Sequence, residues 1–319
     1  MSPDRWSDPE AVSTAASVLG PRARIDAPLG ALTTSRVGGP AAVAFEANSP
    51  ADLQRVRTAR KASGLGVMVI GRGSNLLVAD RGFEGIALFL GEAHGEIEID
   101  QTDATVTAGA SVALPVLARQ CASAGIGGLE WAVGVPGSVG GAVRMNAGGH
   151  GSDMASCLLD AGIVDLNGWD APPRIVSHQV DSLALDYRRS GLTDSDVVLR
   201  ARLQGQPTSP RVAMDRIAEI VRWRRENQPG GQNAGSVFMN PPSESAGAQI
   251  DQAGLRGLRI GSAEVSRVHA NFIVSDPGGT AADVVALMEE IRRRVTEHSG
   301  VVLQPEVRMV GFEDSPTPA

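Results

Sequence analysis

The chain has 319 residues, 42% hydrophobic and 20% charged, with a formal net charge of −7 at pH 7. That length holds two domains, or one large domain with an appendage, and the apolar share is enough for a packed core. The acidic balance argues against a general nucleic-acid binder, and no apolar run approaches the roughly 20 residues a membrane helix needs. The N-terminal "MSPDRWSDPE" has no basic stretch followed by an apolar one, so no signal peptide is expected. Two cysteines, Cys121 and Cys157, stand in no metal or redox spacing, which fits a reducing, cytoplasmic setting.

In chain order, residues 1–30 read as a small N-terminal helix and an arm. "AAVAFEA" (41–47) reads as a strand. "SPADLQRVRTARKAS" (49–63) opens with a Ser cap and a Pro at the first helical position, so it reads as a helix. "GVMVIG" (66–71) is a short buried strand running into "RGSNLLV" (72–78), and strands are expected at 86–90, 96–100 and 104–109. A helix at 112–124 has Ser111 available as its cap. The glycine-dense segment 125–151 reads as turns and tight loops, with strands following at 156–166, 174–178 and 197–204. Helices are then expected at 209–227, 246–254 and 280–300, the last with a Thr cap and a Gly stop. "HANFIVS" (269–275) reads as a strand, and 301–311 as strand, Pro break, strand. The domain boundary is expected near Gln206–Pro210, giving an arm (1–30), a first domain (31–206), a second (207–311) and a tail (312–319). Both domains read as α+β.

Thirty-eight glycines exceed the roughly 7% of an average protein, whereas aromatics are only 3%. Such a composition suits tight turns and backbone-lined ligand contacts. In "IGRGSNLLV" (70–78), Gly71, Gly73, Ser74 and Asn75 directly follow a buried strand. Two glycines let the backbone turn sharply and present N–H groups, an arrangement that suits an anionic group such as a pyrophosphate. A plain strand-to-strand turn explains the same residues equally well. There is no Walker lysine and no G-x-G-x-x-G fingerprint. "GVPGSVGGA" (134–142) carries little side chain that would keep a ligand away, and reads as a ligand wall.

Ser236, in "NAGSVFMNPP" (233–242), admits three roles. A turn or cap serine is common. A nucleophile needs a nearby base, but the histidines stand at 94, 150, 178, 269 and 298, and no G-x-S-x-G elbow is present. A proton donor to a carbanion or enol needs only a placed hydroxyl with a charged partner. Arg188 in "LDYRRSGL" and Glu306 in "LQPEVRMV" are candidates for that partnership, although each alone reads as a surface charge or structural ion pair.

Four stretches in order, "GRGSNLLV" (71–78), "GLEWAVGVPGSVGGAVRMNAGGHG" (128–151), "DYRRSG" (186–191) with "NAGSVFMNP" (233–241), and "QPEVRMVG" (304–311), carry a resemblance. With "RVGGPA" (36–41) and "HANFIV" (269–274), they resemble the UDP-N-acetylenolpyruvoylglucosamine reductase family over roughly residues 25–311. Each motif alone is weak; their order and spacing together are specific. The resemblance implies a vanillyl-alcohol-oxidase/PCMH-type FAD-binding domain followed by a smaller α+β substrate-binding domain. It implies non-covalent FAD, with Gly71, Arg72, Gly73, Ser74, Asn75 and Leu76 at the pyrophosphate and Gly134, Pro136, Gly137, Gly140, Gly141, Asn146, Ala147 and Gly148 around the flavin. NADPH is the implied reductant, and hydride is implied to pass by way of the flavin to the terminal carbon of an enolpyruvyl vinyl ether. Arg188 is implied to stabilise the developing enolate, Glu306 to assist it, and Ser236 to protonate the adjacent carbon. Gly235 is implied to allow close approach of a UDP-sugar, with Tyr187, Arg225 and Asn240 as further contacts. A monomer is expected.

Departures accompany the likeness. Met239 and Asn227 stand where the family commonly has lysines facing the substrate diphosphate, and His150 stands where it has tyrosine. Lys61 is the only lysine in the chain, so a drift from lysine to other residues accounts for the first two, and Arg224 or Arg225 is a candidate replacement charge. Two alternatives stay open on the residues alone: another FAD oxidase of this fold, and a non-catalytic UDP-sugar-binding relative.

Overall fold

The structure, a computed structural model, describes residues 6–168 and 173–312. The N-terminal part begins with α1 (Pro9–Leu19), β1 (Arg24–Ala27), β2 (Ala41–Ala47), α2 (Pro50–Ser63), β3 (Gly66–Ile70), β4 (Leu76–Val78) and β5 (Phe83–Leu90). Ser49, the cap expected from the sequence, accepts the Asp52 N–H at the start of α2, and Gly64 closes the helix in the left-handed region. A mixed four-stranded sheet in the order β1-β2-β5-β3 carries α1 and α2 on one face. Their shared core includes Leu19, Phe45, Leu53, Val56 and Leu88.

Next come β6 (Ile97–Asp100), β7 (Thr105–Gly109), α3 (Leu114–Ser123), β8 (Ile126–Gly127), α4 (Val139–Met145), β9 (Gly148–Gly149), β10 (Ser152–Asp153), β11 (Leu158–Asp165), β12 (Val176–Gln179), β13 (Asp196–Gln204), β14 (Gln206–Pro207) and α5 (Pro210–Asn227). A five-stranded antiparallel sheet, β12-β11-β13-β7-β6, packs against α3 and α4. Helix α5 adds Ala213, Ile217 and Ile220 to this same core. The expected boundary near 206–210 thus cuts between α5 and the core it completes.

The remaining elements are β15 (Gln232–Ser236), α6 (Ala246–Gln252), β16 (Arg259–Ile260), β17 (Ala263–Val265), β18 (Phe272–Ser275), α7 (Ala281–Ser299) and β19 (Arg308–Val310). The sheet β15-β18-β17-β16 buries its core with α6 and α7, around Phe238, Ile250, Leu287 and Ile291. Strand β19 then returns to the first region and pairs in parallel with β4, Arg308 opposite Leu76 and Val310 opposite Val78.

The structure departs from the sequence reading in four places. Helix α3 starts at Leu114 after Ala113, without a side-chain cap; Ser111 Oγ donates instead to the Gly91 carbonyl. The glycine-dense segment contains a true helix, α4, because Ser138 caps it and Val139, Ala142 and Val143 are buried, which together outweigh glycine's low helix propensity. Residues 301–307 form no strand; Pro305 makes a single bridge to Phe238. Strand β18 starts only at Phe272, after a turn in which the Phe272 N–H reaches the His269 carbonyl. The expected tail at 312–319 lies, apart from Phe312, outside the described residues.

Candidate active site

A cavity of about 1020 Å³ opens where the three sheets and β19 converge. One wall is backbone. The β3–β4 turn brings Gly71, Arg72, Gly73, Ser74, Asn75 and Leu76 into the lining, and the segment around α4 brings Gly134, Pro136, Gly137, Gly140, Gly141, Ala147 and Gly148. Gly73 has φ +62° and sits against Thr33, where a Cβ would come within 2.8 Å of the Thr33 Cα. A Cβ on Gly140 would meet the Ala110 Cβ at 2.9 Å, and one on Gly71 the Ser138 Oγ at 2.5 Å. These glycines therefore keep two loops in contact and leave their backbone facing the cavity. No protein acceptor among the described residues takes up the N–H groups of Arg72, Gly73 or Ser74. Such a row of free donors at a glycine turn is the chemistry that holds a dinucleotide's diphosphate.

The opposite wall is made of side chains. Arg188 Nε donates to Glu306 Oε1 at 2.7 Å, and its Nη2 donates to the Gly148 carbonyl at 3.0 Å. A guanidinium has five N–H donors, so donors remain for a ligand in the cavity. Arg188 adopts a left-handed conformation, φ +58°, inside a tight turn closed by mutual Asp186–Arg189 backbone hydrogen bonds. Burial holds the Glu306 carboxyl above its ordinary range, and the Arg188 guanidinium draws back part of that rise. Ser236 ends β15, where the pairing with β18 breaks register between Asn233 and Ser236. Gly235, at φ +78°, makes that break possible, and Asn233 Oδ1 fixes it by accepting the Gly235 N–H at 3.0 Å. Arg188, Ser236 and Glu306 all line the same cavity.

Four expected site residues take other places. Asn146 is buried as the left-handed C-cap of α4; its Nδ2 donates to the Asp186 carbonyl at 3.0 Å and its Oδ1 accepts the Ala155 N–H at 2.9 Å. It supports the Arg188 turn from behind. Tyr187 is 45% exposed, with its ring 5.1 Å from the Arg188 guanidinium carbon. Asn240 is exposed and accepts the Ala246 N–H at 3.0 Å. Arg225 points outward, whereas Arg224, one residue earlier on α5, lines the cavity and donates to Gln228 Oε1 at 2.8 Å. Met239 and Asn227 are not part of the lining.

Two features escaped the sequence reading. Ser138 caps α4 and touches the Gly71 turn, joining both glycine segments. Arg144 on α4 and Arg308 on β19 share the Asp194 carboxylate at 2.9 and 2.5 Å, all three in the cavity lining. No local pattern marks this cluster, because Arg144 and Arg308 stand 50 and 114 residues from Asp194 and meet it only in the folded chain.

Residues 40–169 match the family described as FAD binding domain, and residues 227–310 match UDP-N-acetylenolpyruvoylglucosamine reductase, C-terminal domain. The chain is 42% identical over 295 residues to the UDP-N-acetylenolpyruvoylglucosamine reductase of Rubrobacter xylanophilus, spanning 92% of this chain and 97% of that one. To the enzyme of the same name from Erythrobacter litoralis it is 41% identical over 306 residues, spanning 94% and 92%. Its fold is similar to the crystal structure of UDP-N-acetylenolpyruvylglucosamine reductase from Thermus caldophilus, with a TM-score of 0.75 and 34% identity over 90% of this chain and 99% of that one. With such identity over nearly its whole length, the chain belongs to the UDP-N-acetylenolpyruvoylglucosamine reductase family.

Proposed function

We propose that the chain reduces the enolpyruvyl ether of UDP-N-acetylglucosamine enolpyruvate to UDP-N-acetylmuramate, with NADPH as reductant and FAD as bound cofactor, in peptidoglycan precursor synthesis. The observation that carries this reading is one cavity with a glycine-backbone wall facing an Arg188–Glu306 pair and Ser236. The glycine wall fits FAD: the 71–76 turn would hold its diphosphate and the 134–148 segment its flavin. When bound, FAD accepts hydride from NADPH and supplies it to the terminal carbon of the vinyl ether.

The protein's own groups manage charge and protons. Arg188 meets the substrate carboxylate with a charge-assisted fork as negative charge develops beside it. Ser236 gives its hydroxyl proton to the neighbouring carbon. Glu306, held toward its protonated form by burial, assists the same step through a hydrogen bond. Arg224 is the cation we assign to the substrate diphosphate, in place of the lysines absent at Met239 and Asn227. Tyr187 acts through Arg188, on which it stacks, and Arg225 and Asn240 stay outside the first contacts.

The first domain is read as running through α5, since α5 completes its core. The chain is read as a cytoplasmic monomer that binds no nucleic acid; the acidic charge supports the last point. No helix among the described residues is long and apolar enough to cross a membrane. The test is anaerobic NADPH oxidation by the purified yellow protein, with and without UDP-N-acetylglucosamine enolpyruvate. Substrate-dependent turnover is expected. Flavin that reduces once and stalls in the presence of substrate overturns the reading in favour of a non-catalytic relative, and oxygen consumption with a sugar alcohol favours an oxidase.

A further inference from the structure

Asn75 belongs to the glycine turn, yet its side chain does not end there. Its Nδ2 donates to the Glu306 carbonyl at 3.1 Å, across 231 residues of chain. Its own carbonyl accepts the Arg308 N–H at 3.0 Å. The two bonds bracket the backbone from Glu306 to Arg308 at the point where β19 meets β4. On the other side, the Glu306 N–H donates to the Val237 carbonyl at 2.8 Å, and Val237 follows Ser236 directly. The Glu306 backbone is thus held between the cofactor turn and the serine strand, and its carboxylate is aimed at Arg188.

We propose that Asn75 is a positioning residue for Glu306, tying the placement of the proton-handling group to the glycine turn beside the cofactor. The inference rests on the function proposed above. Backbone N–H groups at Arg72 to Ser74 remain to serve an anion, so the turn's two duties fall on different atoms. An asparagine suits the second duty because its amide donates to one carbonyl while its backbone carbonyl accepts from the next N–H but one. The rate of the substrate step depends on where Glu306 stands, whereas reduction of the flavin by NADPH does not involve it.

The experiment uses the flavin-loaded protein with Asn75→Ala and Asn75→Leu, the second of which keeps the approximate size of the side chain and removes the N–H donor without adding a charge. Flavin content, the two half-reactions by stopped flow, and the Glu306 carboxyl band by infrared titration against Glu306→Gln are read together. Because the turn also borders the cofactor, both variants are loaded with excess FAD and the loaded fraction is compared step by step; any slowing of reduction by NADPH is expected to be at least about tenfold smaller than the slowing of the substrate step. Reoxidation by the enolpyruvyl substrate is expected to fall roughly 10²-fold, the usual consequence of a misplacement near 1 Å. The Glu306 titration is expected to move from its raised position toward the ordinary carboxylate range as its burial loosens. The charged groups around it, Arg188 opposite and Arg308 with Asp194 along β19, are unchanged in both variants. Failure of both variants to load FAD even in excess overturns the inference and leaves Asn75 with the cofactor role alone. Equal slowing of both half-reactions, or an unmoved Glu306 titration, also overturns it. A wild-type protein that never turns over substrate sinks the proposed function instead, and the infrared titration still decides the positioning.

Discussion

The two walls of the cavity are built on opposite principles. The glycine wall comes from two short segments, 71–76 and 134–148, whose shape is set by local turns, a Ser138 cap and close loop-to-loop contact. The side-chain wall comes from three distant segments, with Arg188 and Glu306 118 residues apart and Ser236 on a third element. The first wall works because side chains are missing, and added atoms damage it. The second works because particular functional groups meet, and removed atoms damage it. On the function proposed above, binding of a large cofactor and handling of one proton thus place different demands on the same cavity.

The largest expected effect breaks the second wall alone. Ser236→Ala should leave flavin reduction by NADPH near wild type and slow substrate reduction by roughly 10²–10⁴-fold, the range for a lost general acid. Stopped-flow measurement of the two half-reactions checks this, and equal slowing of both removes the assigned role. Arg188→Lys comes next, at about 10²-fold on the substrate step, because a point charge cannot hold Glu306, the Gly148 carbonyl and a carboxylate at once. Its signature is a loss in kcat larger than any rise in KM.

The complementary break is Gly140→Ala. The new methyl would press on the Ala110 Cβ at 2.9 Å, with overpacking of about 1–3 kcal/mol. Flavin retention after gel filtration and the melting temperature should both fall, while the protein that keeps its flavin retains the substrate step. A Gly140→Ala protein with full flavin and a selective loss of substrate reduction would erase the distinction between the walls.

The smallest effect lies at the outer edge of the glycine wall. His150 packs against Gly134 and meets Trp223 edge to face, with centroids 5.1 Å apart. Burial, then Arg224 and Arg216, keep its pKa below the ordinary 6.5. The protonated form is therefore disfavoured in the folded protein. Stability is fully present above pH 6.5 and is lost as pH falls through the lowered folded value. Burial lowers His94 and His269 in the same direction. Melting temperature should decline from pH 7 toward pH 5, and His150→Phe should flatten that decline slightly; an unchanged slope removes His150 from the account.

Much of this was legible in the residues because it is local. The α2 and α7 boundaries follow from Ser49, Thr280, Gly64 and Gly300, each acting within one turn of its own helix. The 71–76 turn is visible because Gly71, Gly73 and the following Ser and Asn are contiguous. Helix α4 was hidden because glycine signals turns, whereas its burial against the β-sheet depends on residues elsewhere. Asn146 and Arg225 illustrate the limit within motifs: the motif marks a neighbourhood, and packing decides which neighbour faces the ligand.

By itself the sequence determined the class of fold, the order of most elements and the glycine turns, since these follow from propensity, capping and motif order, whereas Arg188, Ser236 and Glu306 came forward together as candidates only through the resemblance their motifs carry. Only the tertiary structure decided that β19 lies beside β4, that α5 completes the first core, and that Asn75 reaches Glu306. Those are contacts between segments far apart in the chain. Their free energy comes from burial and hydrogen bonds that exist only after the chain has closed on itself, so no local pattern announces them.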